Sequence, residues 1–96
     1  MELRRAQELI VKAYGAKDRA RGTAGTFMYL VEEIGELSTA LREEGRQERA
    51  YELADVLAWT LSLAGLEGID LEQAFLEKYL LCRGCGFEIC ECKTKP

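Results

Sequence analysis

Phe27-Met28-Tyr29-Leu30-Val31-Glu32-Glu33-Ile34-Gly35-Glu36-Leu37-Ser38-Thr39-Ala40-Leu41 decides the fold class. Leu30, Ile34, Leu37 and Leu41 recur every three or four residues, which places them on one face of a helix and predicts a core stripe. The pattern repeats on either side. Leu3, Ala6, Leu9, Ile10 and Ala13 share a face in residues 2–14, with Gly15 expected as a left-handed stop. The basic, glycine-containing stretch 15–25 reads as a loop, after which Thr23 or Thr26 caps a second helix running to Glu44 and ended by Gly45. A third helix over residues 47–66 carries Leu53, Leu57, Thr60 and Ala64 on one face and is closed by Gly68. Asp70 followed by Gln73 resembles a capping box for a fourth helix over 71–81. No stretch alternates with period two, and the single proline is Pro96. The expectation is an all-α chain, a four-helix bundle-type domain over residues 1–81 followed by a short Cys-rich tail over 82–96.

Ninety-six residues allow one domain, and 48% hydrophobic with 31% charged residues is a globular balance. A chain this short buries little, so self-association or a bound metal is expected to supplement its core. There is no histidine, which removes imidazole as base, nucleophile partner or metal ligand. The net charge of -4 gives no electrostatic drive toward nucleic acid or an anionic membrane. A charged N-terminus and the lack of a long apolar run point to the cytoplasm. Absent Asn and only three Gln match the composition of heat-adapted proteins.

Chemistry concentrates in two acidic blocks. Glu32-Glu33-Ile34-Gly35-Glu36 sets Glu33 and Glu36 side by side at i and i+3, and Glu52-Leu53-Ala54-Asp55 does the same for Glu52 and Asp55. Four carboxylates can then face one another across a helix pair, with Trp59 beside the second block. Neighbouring acids without basic partners repel unless a cation lies between them, and hard oxygen ligands favour Mg²⁺ or Mn²⁺. An oxygen-only set argues against zinc or a histidine-containing di-iron centre here. Gly35 costs a helix interior about 1 kcal/mol relative to Ala, so a neighbouring helix is expected to approach it closely. The same acids, on amphipathic helices of a chain with fourteen Glu, also suit a solvated face.

Glu-Glu-x-x-Glu, fifteen residues, then Glu-x-x-Asp resembles the signature of the MazG-like all-α nucleoside triphosphate pyrophosphohydrolases. The flanking Phe27 to Val31 and Val56 to Ala64 are similar to that family too, and the likeness covers residues 3–79. The resemblance implies cleavage of an NTP or dNTP between the α and β phosphates, giving a monophosphate and pyrophosphate, as in clearing nucleotide pools. It implies Mg²⁺ on Glu33, Glu36, Glu52 and Asp55, with Glu32 positioning or deprotonating the attacking water. Divalent ions on carboxylates neutralise a triphosphate and generate an oxygen nucleophile without histidine. Candidates for the phosphate cradle are Lys78, Arg83 and, in the basic stretch, Lys17, Arg19 and Arg21. Many relatives carry an Asn and an Arg shortly after the last-helix Lys, where this chain has Cys82 and Cys85. Trp59, Phe27 and Tyr29 are candidates for a base pocket, and equally for core or subunit contact.

Cys82-x-x-Cys85-Gly86 has zinc-knuckle spacing, and Cys90-x-Cys92 adds two thiols. In a reducing compartment such a cluster points to a structural Zn²⁺ within or between subunits, with disulfides or unligated thiols as the alternatives. The expectation is a homodimer or homotetramer with sites near its interfaces. The reading from another class is a non-catalytic helical adaptor whose tail zinc organises a contact surface, and phosphoribosyl-ATP pyrophosphohydrolase-like activity stays open within the enzyme reading.

Overall fold

The computed structural model describes all 96 residues and contains three helices and no strand: α1 (Leu3–Glu43), α2 (Arg46–Leu66) and α3 (Leu71–Tyr79). The all-α class is as expected, whereas the separate first and second helices are one long α1 broken at Gly22. Gly22 has φ 85° and ψ 170° and interrupts an otherwise helical run. That region is open to glycine and strained for side-chain-bearing residues, so the kink sits where the residue permits it. Gly15 is not a stop. It is buried inside the first arm, and the expected loop 15–25 is helical except at Gly22. The Asp18–Arg21 pair at i and i+3, Nη1 to Oδ1 3.0 Å, spans the last turn before the kink.

Helix α2 begins one residue earlier than expected, with Gly45 as its N-cap at φ -75° rather than as a left-handed stop for α1. Gly68, at φ +67°, closes the turn after α2 as its sequence position predicts. Asp70 caps α3 by accepting from the Gln73 N–H at 3.2 Å, but the Gln73 amide turns to Glu77, so the box is one-sided. α3 ends at Tyr79, two residues short of expectation.

α1 packs along α2, and its first turns hold the start of α3. Arg4 pairs with Asp70 and Glu72 at 2.9 and 3.1 Å, while the Gln7 amide donates to the Ile69 carbonyl and accepts from the Leu71 N–H. The helices approach closely at Gly65, where a Cβ would lie 2.8 Å from Val11 Cγ2. Gly35 meets nothing within 4 Å, so the close approach expected there is not made within one chain.

The core is small: Leu30, Ala40, Leu61 and Ala64 are its buried apolar residues. Of the expected stripes, Ile34, Leu41, Leu53 and Leu57 remain 44–55% exposed. A folded monomer of 10.8 kDa is expected to expose about 5,500 Å², against 7284 Å² here. The radius of gyration, 15.5 Å, likewise exceeds the ~12.5 Å of a compact chain of this length. The isolated chain is an open pair of arms whose apolar faces look outward. No helix is long and apolar enough to cross a membrane.

Candidate active site

The second arm of α1 and the first half of α2 run side by side, and their acidic blocks meet. Carboxylate oxygens of Glu33, Glu36 and Glu52 lie within 4.8 Å of one another. Glu33 Oε2 and Glu52 Oε2 are shut off from solvent and have no hydrogen-bond partner. An unpaired buried carboxylate oxygen is costly, so the pair marks a place where something positive belongs. Desolvation, followed by the close approach of the Glu36 carboxylate and then by the charges of Asp55 and Glu52, lifts the Glu33 carboxyl from 4.5 to about 7. Glu52 is raised too, by desolvation first and then by the charges of Glu36, Asp55 and Glu44. No cationic side chain reaches these oxygens in an ion pair.

Asp55, one turn beyond Glu52, stands outside the tight trio and lines the adjoining cavity. This cavity, about 330 Å³, is bounded by Ile10, Tyr14, Lys17, Asp18, Arg21, Asp55, Ala58, Trp59 and Ser62. Its volume is at the small end of those that hold small molecules. Arg21 organises its wall. The guanidinium lies 5.1 Å from the Tyr29 ring centroid and 5.0 Å from that of Trp59, and the two rings stack at 5.1 Å. Its Nη1 also reaches Asp18 Oδ1 at 3.0 Å and Thr26 Oγ1 at 3.3 Å. Asp18 is 4% exposed and Thr26 fully buried, so the pair fixes the cation where the kink brings both arms to α2.

Residues 22–80 match the family model of the MazG nucleotide pyrophosphohydrolase domain. The chain belongs to that family. No curated protein matches it. The MazG match begins at the kink glycine and spans both acidic blocks and α3, leaving outside it the first arm of α1 and the cysteine tail. MazG domains use a divalent metal, and the trio fits one: the donors are hard oxygens, they converge from two helices, and two of them are otherwise orphaned.

The other predicted site residues fall into separate places. Glu32 is exposed and does not join the trio. Tyr29 and Trp59 stack as described, while Phe27 is outside the stack and 52% exposed. Lys78, whose ammonium lies 5.7 Å from the Tyr79 ring centroid, and Arg83 share a different groove with Leu76, Leu80 and Leu81. Arg83 donates to the Pro96 carbonyl at 3.2 Å. Of the basic candidates, Arg21 and Lys17 border the cavity beside Asp55, and Arg19 packs over Gly15. Asp18 is the site residue that the sequence reading missed; its signal was an acid three residues before Arg21 in an otherwise basic stretch. The four cysteines gather at the other end of α3 and are all free.

Proposed function

We propose that this MazG domain is a divalent-cation-dependent nucleotide pyrophosphohydrolase, taking an NTP or dNTP and water to a monophosphate and pyrophosphate, with clearance of nucleotide pools as its role. The observation that carries this reading is the convergence of Glu33, Glu36 and Glu52 with two buried, unpartnered oxygens. Mg²⁺, or Mn²⁺ in its place, supplies charge neutralisation on the triphosphate and activation of water when bound. Glu33, Glu36 and Glu52 hold it, and Asp55 faces the same region from the cavity side. Glu32, adjacent in sequence, orients the attacking water and takes its proton. Trp59 and Tyr29 offer the base an aromatic wall, with Arg21 held against it by Asp18, and Lys17 meets phosphate.

A homo-oligomer completes the molecule. The chain exposes roughly 1,700 Å² more than a folded monomer of its mass, about twice the ~800 Å² that a standard interface removes from each partner and in the range of a large obligate one. Phe27, Val31, Ile34 and Leu41 on α1 and Leu53 and Leu57 on α2 supply apolar surface for it, with Gly35 leaving room for a partner helix. Self-association buries these faces next to the acids and so places the sites near subunit boundaries.

Product analysis tests the reaction. With Mg²⁺ and a panel of ordinary and damaged nucleotides, monophosphate and pyrophosphate are expected, and Glu36→Gln should lower turnover by at least about 100-fold. Diphosphate and phosphate as products, or unchanged turnover in Glu36→Gln, would sink the assignment.

A further inference from the structure

The tail from residue 81 onward contains no helix or strand and lies beyond the MazG match. Its largest apolar side chains do not form a core: Phe87 is 54% and Ile89 82% exposed. Yet the sulfurs of Cys82, Cys85, Cys90 and Cys92 all lie within 4.8 Å of one another, and Cys82 Sγ and Cys92 Sγ are 3.9 Å apart. Four ligands at the Zn–S distance of about 2.3 Å form a tetrahedron with edges of ~3.8 Å. The Cys82–Cys92 separation therefore matches the tetrahedral edge.

The backbone around the sulfurs is arranged for thiolates. Gly84 N–H points to Cys82 Sγ at 3.4 Å, Glu91 N–H to Cys85 Sγ at 3.3 Å, and Cys92 N–H to Cys90 Sγ at 3.3 Å. Such donors orient metal ligands and offset their charge. A tight turn closes the first pair, with Gly86 N–H to Cys82 C=O and Cys82 N–H to Phe87 C=O, both 2.8 Å, and Gly86 at φ +78°. At Gly84 a Cβ would come within 2.9 Å of Cys92 Sγ, so a side chain there would drive the two cysteine pairs apart.

We propose that Cys82, Cys85, Cys90 and Cys92 bind one Zn²⁺ per chain as a tetrathiolate, and that this ion folds the tail. A segment without a core depends on such a ligand for its order, and soft sulfur donors in a tetrahedral set select zinc over the hard cations suited to the acidic trio. The site is separate in residues and in chemistry from the proposed active centre.

The experiment uses the full chain produced with zinc supplied. Elemental analysis and native mass spectrometry should give one zinc per chain, the thiols should resist a thiol reagent until a mercurial displaces the metal, and X-ray absorption at the zinc edge should show four sulfurs at about 2.3 Å. Cys90→Ser and Cys92→Ser should each weaken zinc retention against a chelator by more than the about 10–100-fold owed to an outer-shell contact. Bundle helicity should survive in both, because no hydrogen bond or ion pair ties residues 82–96 to the helices. Glu33→Gln should keep its zinc, which separates failure here from failure of the pyrophosphohydrolase reading. Four freely reactive thiols without zinc, disulfides between them, iron in place of zinc, or zinc content that follows Glu33 rather than the cysteines would each overturn the proposal.

Discussion

Replacing Glu33 by Gln should stabilise the metal-free protein while removing most of its response to Mg²⁺. A carboxyl whose pKa is higher in the folded than in the unfolded chain costs stability once pH exceeds the unfolded value, and the cost grows until the folded pKa is passed. For Glu33 that window runs from 4.5 to about 7. The upper bound on the cost is ~3 kcal/mol. Oε2 is shielded, but the residue as a whole is only half-buried and its repulsion with Glu36 is shared and screened, so about 1 kcal/mol is the expected gain for Glu33→Gln. Urea unfolding followed by circular dichroism, with EDTA at about pH 8, should place the variant above the parent. The gap should close as pH falls toward about 5, where the parent carboxyl is protonated. Adding Mg²⁺ should reverse the order, since the parent gains binding free energy and the variant little. A variant less stable than the parent in EDTA at about pH 8, or a gap that does not change with pH, would refute the reasoning.

Gly65→Ala should destabilise despite the ~1 kcal/mol helix-propensity gain, because over-packing against Val11 costs about 1–3 kcal/mol; Val11→Ala in the same chain should restore the gain, as a double-mutant cycle in urea would read. Ile34→Glu puts a charge into the exposed apolar face of α1 and should shift sedimentation toward the monomer with loss of helicity. Asp70→Ala should lower the melting temperature near neutral pH. The Gln73 N–H, then Arg4, holds the Asp70 carboxyl below its ordinary value, so its contribution is present above that value and lost as pH falls through the depressed one. The melting difference should therefore vanish in acid.

Local periodicity made the acidic site readable. Spacing of i and i+3 put Glu33 beside Glu36 and Glu52 beside Asp55, and only the helix pairing had to be supplied to bring three of the four together. Caps behaved similarly, since Asp70 and Gly68 act through neighbours in sequence. Gly15 misled because a glycine after an apolar run has the pattern of a stop, whereas here its lack of a side chain leaves room for Arg19 and the helix continues. Gly22 makes the real break, with φ 85° and ψ 170°. The stripe through Ile34 and Leu41 was read correctly as an apolar face but wrongly as the core of one chain, and the face carrying Leu53 and Leu57 is left open in the same way. Sequence periodicity gives the direction in which a face is apolar, not whether the same chain or another covers it.

The surplus surface of the single chain has a consequence for how the protein keeps its shape. If the faces of α1 and α2 are covered only by another copy, folding and assembly are one equilibrium, and protein concentration enters its stability directly. Each tenfold dilution then removes about 1.4 kcal/mol from the assembled state, so the midpoint of unfolding moves with the amount of protein in the tube. Expression level would set the folded fraction as well as the number of molecules. A cell making too little of the chain would lose activity faster than in proportion.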